Sequence, residues 1–136
     1  LSCIDIKSYL RELSENIQRS QAADTGQVKL ELNVAEAELD IDTAIPVGLI
    51  LNELITNCYK YAFQGRNRGT ISVDFNKSGE NYFLRVSDDG VGFQPEGVKN
   101  RRTLGMNLIY GLVRQLEGTI EWLAVENGSA VAITFS

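Results

Sequence analysis

Leu51-Asn52-Glu53-Leu54-Ile55-Thr56-Asn57-Cys58-Tyr59-Lys60-Tyr61-Ala62 is the stretch on which the fold turns. Leu51, Leu54, Ile55 and Cys58 recur at the spacing of one helix side and supply its packing surface. Glu53, Asn57, Lys60 and Tyr61 follow one another at steps of four, three and one residues. A helix turning once per roughly 3.6 residues gathers them on one face. A solvated polar face with a Glu53–Asn57 contact is the plainer account of that stripe, so the helix alone does not establish chemistry.

Working outward, Thr43 is placed to cap this helix, with Pro46 in its first turn, where a missing N–H costs least. The helix is predicted to run to about Phe63. Upstream, Ile6, Tyr9, Leu10, Leu13 and Ile17 line one face of a helix over Asp5 to Ser20. Val28, Leu30, Leu32 and Val34, then Leu39 and Ile41, alternate with polar residues and predict two strands paired as a hairpin. Downstream, Ile71, Val73 and Phe75 lead through Lys77-Ser78-Gly79 to Tyr82, Leu84 and Val86, a second antiparallel hairpin. Leu104, Leu108, Ile109, Leu112, Val113 and Leu116 return to helical spacing, with Gly118 as the stop. Strands over Thr119 to Val125 and Ala130 to Phe135 close the chain. Strand pairs with intervening helices predict an α/β fold, a two-layer α/β sandwich whose mixed sheet is covered on one face.

A chain of 136 residues, 43% hydrophobic and 23% charged with two prolines, is expected to form one globular domain over 1–136. Eighteen acidic against thirteen basic residues give a net charge of -5, which offers no general attraction to nucleic acid or an anionic membrane. Any phosphate binding must be local. Two cysteines, Cys3 and Cys58, point to a reduced, cytoplasmic protein without a disulfide frame. No apolar run reaches the roughly 18 residues of a membrane span, and no signal peptide is visible. The chain starts at Leu1-Ser2-Cys3 without an initiator methionine, as expected of a piece of a longer protein. It contains no histidine, which removes histidine triads and histidine metal sites from consideration.

Two further segments carry candidate chemistry. Val86-Ser87-Asp88-Asp89-Gly90-Val91-Gly92-Phe93 ends a strand and opens a loop that lasts until Thr103. Asp-Gly is a strong turn signal, and a turn alone accounts for it as well as a site does. The functional alternative lets Gly90 and Gly92 bring backbone close to a flat ligand while Asp88 accepts a hydrogen bond from an exocyclic amine, such as adenine has. Thr103-Leu104-Gly105-Met106-Asn107-Leu108 forms a loop-to-helix junction. Backbone N–H groups and the helix dipole favour a phosphate there; a simple cap after a long loop is the other account. Lys99, Arg101 and Arg102 either meet phosphates in a closed lid or keep the loop solvated. The GxxxxGK[ST] phosphate loop, a dinucleotide GxGxxG after a first strand, and the HRD and DFG signatures are all missing.

Taken in order, an acidic-Asn-Lys helix, DxGxG and a glycine at a loop–helix junction closely resemble the Bergerat ATP-binding fold. That fold is shared by histidine kinases, gyrase-type topoisomerases, and certain chaperone and mismatch-repair ATPases. Gly48-Leu49-Ile50-Leu51-Asn52-Glu53-Leu54-Ile55-Thr56-Asn57 and Leu104-Gly105-Met106-Asn107-Leu108-Ile109 look most like histidine kinases related to the HWE type. The resemblance runs from about Ile4 to the C-terminus.

The resemblance implies ATP and Mg²⁺ as ligands. Asn57 matches an asparagine whose side-chain oxygen ligates Mg²⁺, and Glu53 matches a residue that positions a metal-bound water or assists proton removal. Lys60 matches a phosphate contact, and Tyr61 stands near the expected ribose and phosphates. Asp88 matches the adenine-reading aspartate, with Gly90 and Gly92 its loop glycines. Arg101, Arg102, Thr103, Leu104, Gly105 and Met106 fall in the phosphate-binding junction. Gly128-Ser129 resembles a Gly-Thr pair whose hydroxyl helps bind an adenine-linked water. Arg101 and Thr103 stand where many histidine kinases carry glycine, and Cys58 stands at a usual alanine position.

The implied activity is transfer of the ATP γ-phosphoryl to a histidine outside this chain, in an upstream dimerisation domain, with a response regulator downstream. The isolated chain is expected to be monomeric. A degenerate nucleotide-binding interaction module, a hydrolytic ATPase of the same fold and an anti-sigma-type serine kinase are the alternatives.

Overall fold

The computed structural model describes residues 3–25, 27–63, 68–91, 104–123 and 125–136. Strand β1 (Cys3–Asp5) leads into helix α1 (Ile6–Thr25), followed by β2 (Gln27–Val34) and β3 (Glu38–Asp40). Helix α2 (Ile41–Asn57) then continues into one π-helical turn, Cys58–Ala62. Next come β4 (Arg68–Ser78), β5 (Asn81–Asp88), helix α3 (Leu104–Gln115), β6 (Thr119–Leu123) and β7 (Ser129–Phe135). The main sheet has the order β2-β4-β5-β7-β6, and β1 pairs with β3 in a separate two-stranded sheet.

This is the mixed sheet with helices that the pattern predicted. One strand pairing differs: Val28 to Val34 and Leu39 do not form a hairpin. β2 runs parallel to β4, with Val28 opposite Gly69 and Val34 opposite Phe75, while β3 pairs antiparallel with β1. Parallel neighbours need a crossover of a dozen or more residues, and α2 lies between β2 and β4 in the chain to provide it. Alternation reveals a buried face and leaves the partner open. The β4–β5 and β6–β7 hairpins form as expected, the first turning at Gly79, whose φ of 60° suits glycine.

The helix ends also differ from the expectation. Asp40, not Thr43, caps α2: its carboxylate accepts from the Thr43 N–H at 2.9 Å, and Asp40 itself is extended. The helix therefore starts at Ile41 and places Pro46 in its second turn, where the bond it cannot make would have gone to the carbonyl of exposed Asp42. Helix α3 stops through two capping bonds, Glu117 N–H to Arg114 O at 2.9 Å and Gly118 N–H to Val113 O at 3.0 Å. The left-handed residue of that cap is Glu117, at φ 55°. Gly118 serves the sheet instead, since a Cβ there would lie 2.5 Å from the Thr134 carbonyl.

The core lies between the sheet and the helices. Ile71, Val73, Phe75, Leu84, Val86, Val131 and Ile133 face it from the strands, and Leu10, Ile50, Leu51, Ile55, Ile109 and Val113 from the helices. The alternate strand residues Asp74, Arg85 and Ala132 sit side by side on the opposite, more polar face. Burial therefore follows the two-residue period of each strand, which determines where each end residue of β5 points.

Candidate functional site

Asp88 is the last residue of β5, two and four residues beyond Val86 and Leu84, so the same pleat that sends those side chains into the core sends this carboxylate inward. It is 5% exposed. A buried carboxylate is costly unless hydrogen-bonded, and three groups meet this one. The Gly90 N–H donates to Oδ1 at 2.9 Å, the Ser129 hydroxyl donates to Oδ2 at 2.5 Å, and the Cys58 thiol lies 3.8 Å from Oδ2. Ser129 is there because it is the direct cross-strand partner of Asp88 at the start of β7.

Asp89 takes the opposite role. Its carboxylate accepts from Thr70 N–H at 2.7 Å and its own N–H donates to Thr70 O at 3.2 Å, which clamps the end of β5 onto β4. Of two adjacent aspartates, only the one in phase with the core residues enters the site.

Two glycines close the backbone around Asp88. A Cβ on Gly90 would lie 1.9 Å from the Ala62 carbonyl, and the next residue, Val91, donates its N–H to that carbonyl at 2.6 Å. The close approach at Gly90 is thus to the end of the π turn. Gly128 has φ 83°, and a Cβ there would lie 1.9 Å from the Asp88 carbonyl. Neither position accepts a side chain without moving backbone.

The helical wall comes from α2 and α3. Glu53 and Asn57, one turn apart, are half-buried, and the Asn57 amide nitrogen lies 3.9 Å from the sulfur of Met106 in the first turn of α3. Met106 is buried and Gly105 half-buried, whereas Leu104 at the tip is exposed. From Cys58 the helix widens into the π turn, so Lys60 and Tyr61, both exposed, do not follow the ordinary helical spacing on which the single-face prediction rested. Gly92, Lys99, Arg101, Arg102 and Thr103 lie outside the described residues.

Cys58 is the residue the sequence reading passed over. Its spacing put it on the packing side, correctly, but the packing side is also where Asp88 points. The phase of Asp88 with Leu84 and Val86 was the signal that would have joined them. Burial, reinforced by the neighbouring Asp88 carboxylate, pushes the Cys58 thiol well above its ordinary pKa, so it remains a neutral donor.

The pattern that defines the histidine kinase-like ATPase domain matches residues 16–135. The chain belongs to the histidine kinase-like ATPase domain family. This histidine kinase-like ATPase domain is 27% identical over 133 residues to blue-light-activated histidine kinase 2 of Erythrobacter litoralis (strain HTCC2594), covering 96% of the chain and 38% of that protein. Among solved structures, it superposes on the histidine kinase domain of the Erythrobacter litoralis EL346 blue-light-activated histidine kinase with a TM-score of 0.88 at 25% identity, covering 97% of this chain and 65% of that one. The Acinetobacter baumannii histidine kinase AdeS shares the fold, with a TM-score of 0.79 at 18% identity over 99% of this chain and 66% of its own. The domain therefore spans 38% of the curated relative it matches, and is similar to the kinase-type catalytic part of larger histidine kinases. Among the described residues no helix is long and apolar enough to cross a membrane.

Proposed function

We propose that this domain binds Mg-ATP and delivers the γ-phosphoryl to a histidine in a paired-helix dimerisation domain of the parent kinase. The observation that carries the reading is the buried Asp88 carboxylate, held by Gly90, Ser129 and Cys58 one residue away from Asn57. A carboxylate brought into a core with neutral donors only is set to accept one more hydrogen bond from a ligand amine. Adenine offers that amine. Gly128, whose Cβ would clash with Asp88, keeps the strand opposite thin at this point.

The residues present fit a magnesium-bound nucleotide. The Asn57 amide nitrogen faces the Met106 sulfur, which leaves its carbonyl oxygen as the ligating atom on the other arm of the same amide. Asn57 would hold a magnesium ion through its neutral side-chain oxygen, with phosphates and water supplying the remaining ligands. When bound, the ion supplies charge neutralisation across the phosphate oxygens. Glu53 stands one turn before Asn57, placed to orient a water or draw off the proton that the acceptor imidazole loses. Lys60, Arg101 and Arg102 supply positive charge toward the phosphates, Gly105 and Met106 supply N–H groups from the start of α3, and Tyr61 borders the ribose.

In the transfer, the bond between the γ-phosphorus and the bridging oxygen breaks, the imidazole nitrogen takes the phosphoryl group, and ADP leaves with the bond's electron pair. The domain contributes positioning and charge stabilisation rather than a covalent intermediate. The 136-residue sequence has no histidine, so the acceptor lies in another part of the parent protein, and a response regulator receives the phosphoryl afterwards. A cytoplasmic setting belongs to this reading, since the sequence carries only two cysteines, Cys3 and Cys58.

The test is calorimetric titration of Mg-ATP into the wild-type domain and into Asp88→Asn. Binding is expected in the first and at least about a hundredfold weakening in the second, since the amide presents N–H groups toward a donor and loses the charge. Unchanged affinity would remove the adenine assignment. Phosphorylation of an added acceptor domain at the wild-type rate by Asn57→Ala would remove the magnesium role.

A further inference from the structure

Hydrogen-bond accounting at Asp88 leads further, and rests on reading this site as an adenine pocket. Two carboxylate oxygens offer about four lone-pair directions. Among the described residues three are used: Oδ1 accepts from Gly90 N–H at 2.9 Å, and Oδ2 accepts from the Ser129 hydroxyl at 2.5 Å with the Cys58 thiol 3.8 Å away. Oδ2 is full, and Oδ1 keeps one direction open.

We propose that Cys58 is a positioning residue for base recognition: donating to Oδ2 beside Ser129, it orients the Asp88 carboxylate so that Oδ1 alone accepts the 6-amino group of a purine, which raises selectivity for 6-aminopurine nucleotides over purines without that amine.

Three features support this role. Cys58 comes from α2 while Ser129 comes from β7, so Oδ2 is held from two separate elements and the carboxylate plane is restrained in rotation. Gly128 lies next to Oδ1, where a Cβ would come within 2.9 Å, so glycine at this position keeps a side chain from crowding the oxygen that is to meet the base. The thiol keeps its proton, because burial and the adjacent carboxylate both oppose the thiolate. An alanine methyl at 58 would donate nothing, and Oδ2 would turn toward a water or toward the base with equal ease. A thiol is a weak donor, so the effect is modest and falls on selectivity first.

The experiment measures dissociation constants of ATP and of purine riboside 5′-triphosphate, each with Mg²⁺, for the wild-type domain, Cys58→Val and Cys58→Ser, with thermal melting of each protein as the control for folding. Wild type is expected to prefer ATP. Cys58→Val, which fills the space without a donor, is expected to weaken ATP by about three- to fivefold and leave the desamino nucleotide unchanged. Cys58→Ser is expected to recover most of the lost preference. If the valine protein melts early, Cys58→Ala removes the donor with less crowding and reads the same ratio. Equal weakening of both nucleotides would reduce Cys58 to a packing residue and overturn the proposal, as would an ATP affinity indifferent to every substitution. A wild-type domain that binds neither nucleotide, or both equally, would instead sink the adenine reading of Asp88 and this proposal with it.

Discussion

The two ends of strand β5 face the same layer of the molecule and are built from opposite chemistry. At its start, Tyr82 stacks on Phe135 with ring centroids 5.2 Å apart and on Phe75 at 5.9 Å, and the Lys77 ammonium lies 5.6 Å from the Tyr82 ring centre. At its end, six residues on and in the same phase, Asp88 faces a hydroxyl, a thiol and a backbone N–H. Both ends sit on the same three neighbouring strands, β4, β5 and β7. The aromatic end closes the core with contacts that need no ligand. The carboxylate end stops the core with a group that is tolerable there only because donors surround it. A site can occupy one end of a sheet because the other end carries the stability.

That division predicts where mutations fall. The largest effect is expected from Phe75→Ala at the aromatic end, about 3–5 kcal/mol of lost stability from a fully buried ring, read by urea unfolding. The affinity of the remaining folded protein for Mg-ATP should be unchanged; a parallel loss of affinity would show that the ends are coupled. Gly128→Ala comes next. It forces a side chain into a left-handed backbone and against the Asp88 carbonyl, so a cost of about 1–3 kcal/mol is expected together with weakened nucleotide binding. A variant that melts normally and binds normally would mean that β7 relaxes away from Asp88 freely. Ser129→Ala comes last, at about 1.5 kcal/mol for one hydrogen bond to a charged group, and it should lower ATP affinity severalfold with only a modest fall in melting temperature. A larger fall in melting temperature than in affinity would make Ser129 a structural residue of the sheet and blur the contrast between the ends.

Much of this was legible from the chain. The alternation from Ile71 to Val86 correctly announced a hairpin, and the run from Leu104 to Leu116 announced α3; the burial of Asp88 also lay in the phase of β5 but went unread. Gly105, Met106 and Asn57 were assigned to one region, and the contact between Asn57 and Met106 brings those two together. The pairing of β2 was not legible, because its outward and inward residues have the same pattern whether the partner is β3 or β4. Nor was the wide turn after Asn57: nothing in Cys58-Tyr59-Lys60-Tyr61-Ala62 distinguishes π from α spacing locally, so the positions of Lys60 and Tyr61 were drawn on the wrong helix geometry.

What the sequence determined by itself is therefore local and periodic: which residues form helices and strands, which side of each is buried, and that a carboxylate continues the apolar row of β5. Tertiary structure alone decided that β2 lies beside β4, that Asp89 clamps Thr70 while Asp88 meets Ser129, and that a thiol from α2 reaches that carboxylate. The reason is physical. Periodicity records the balance of water and core at each residue, whereas the choice of partner is made by hydrogen bonds and contacts between segments about twenty to forty positions apart, 19 for Thr70 with Asp89, 30 for Cys58 with Asp88 and 41 for Asp88 with Ser129, and no short window contains both members.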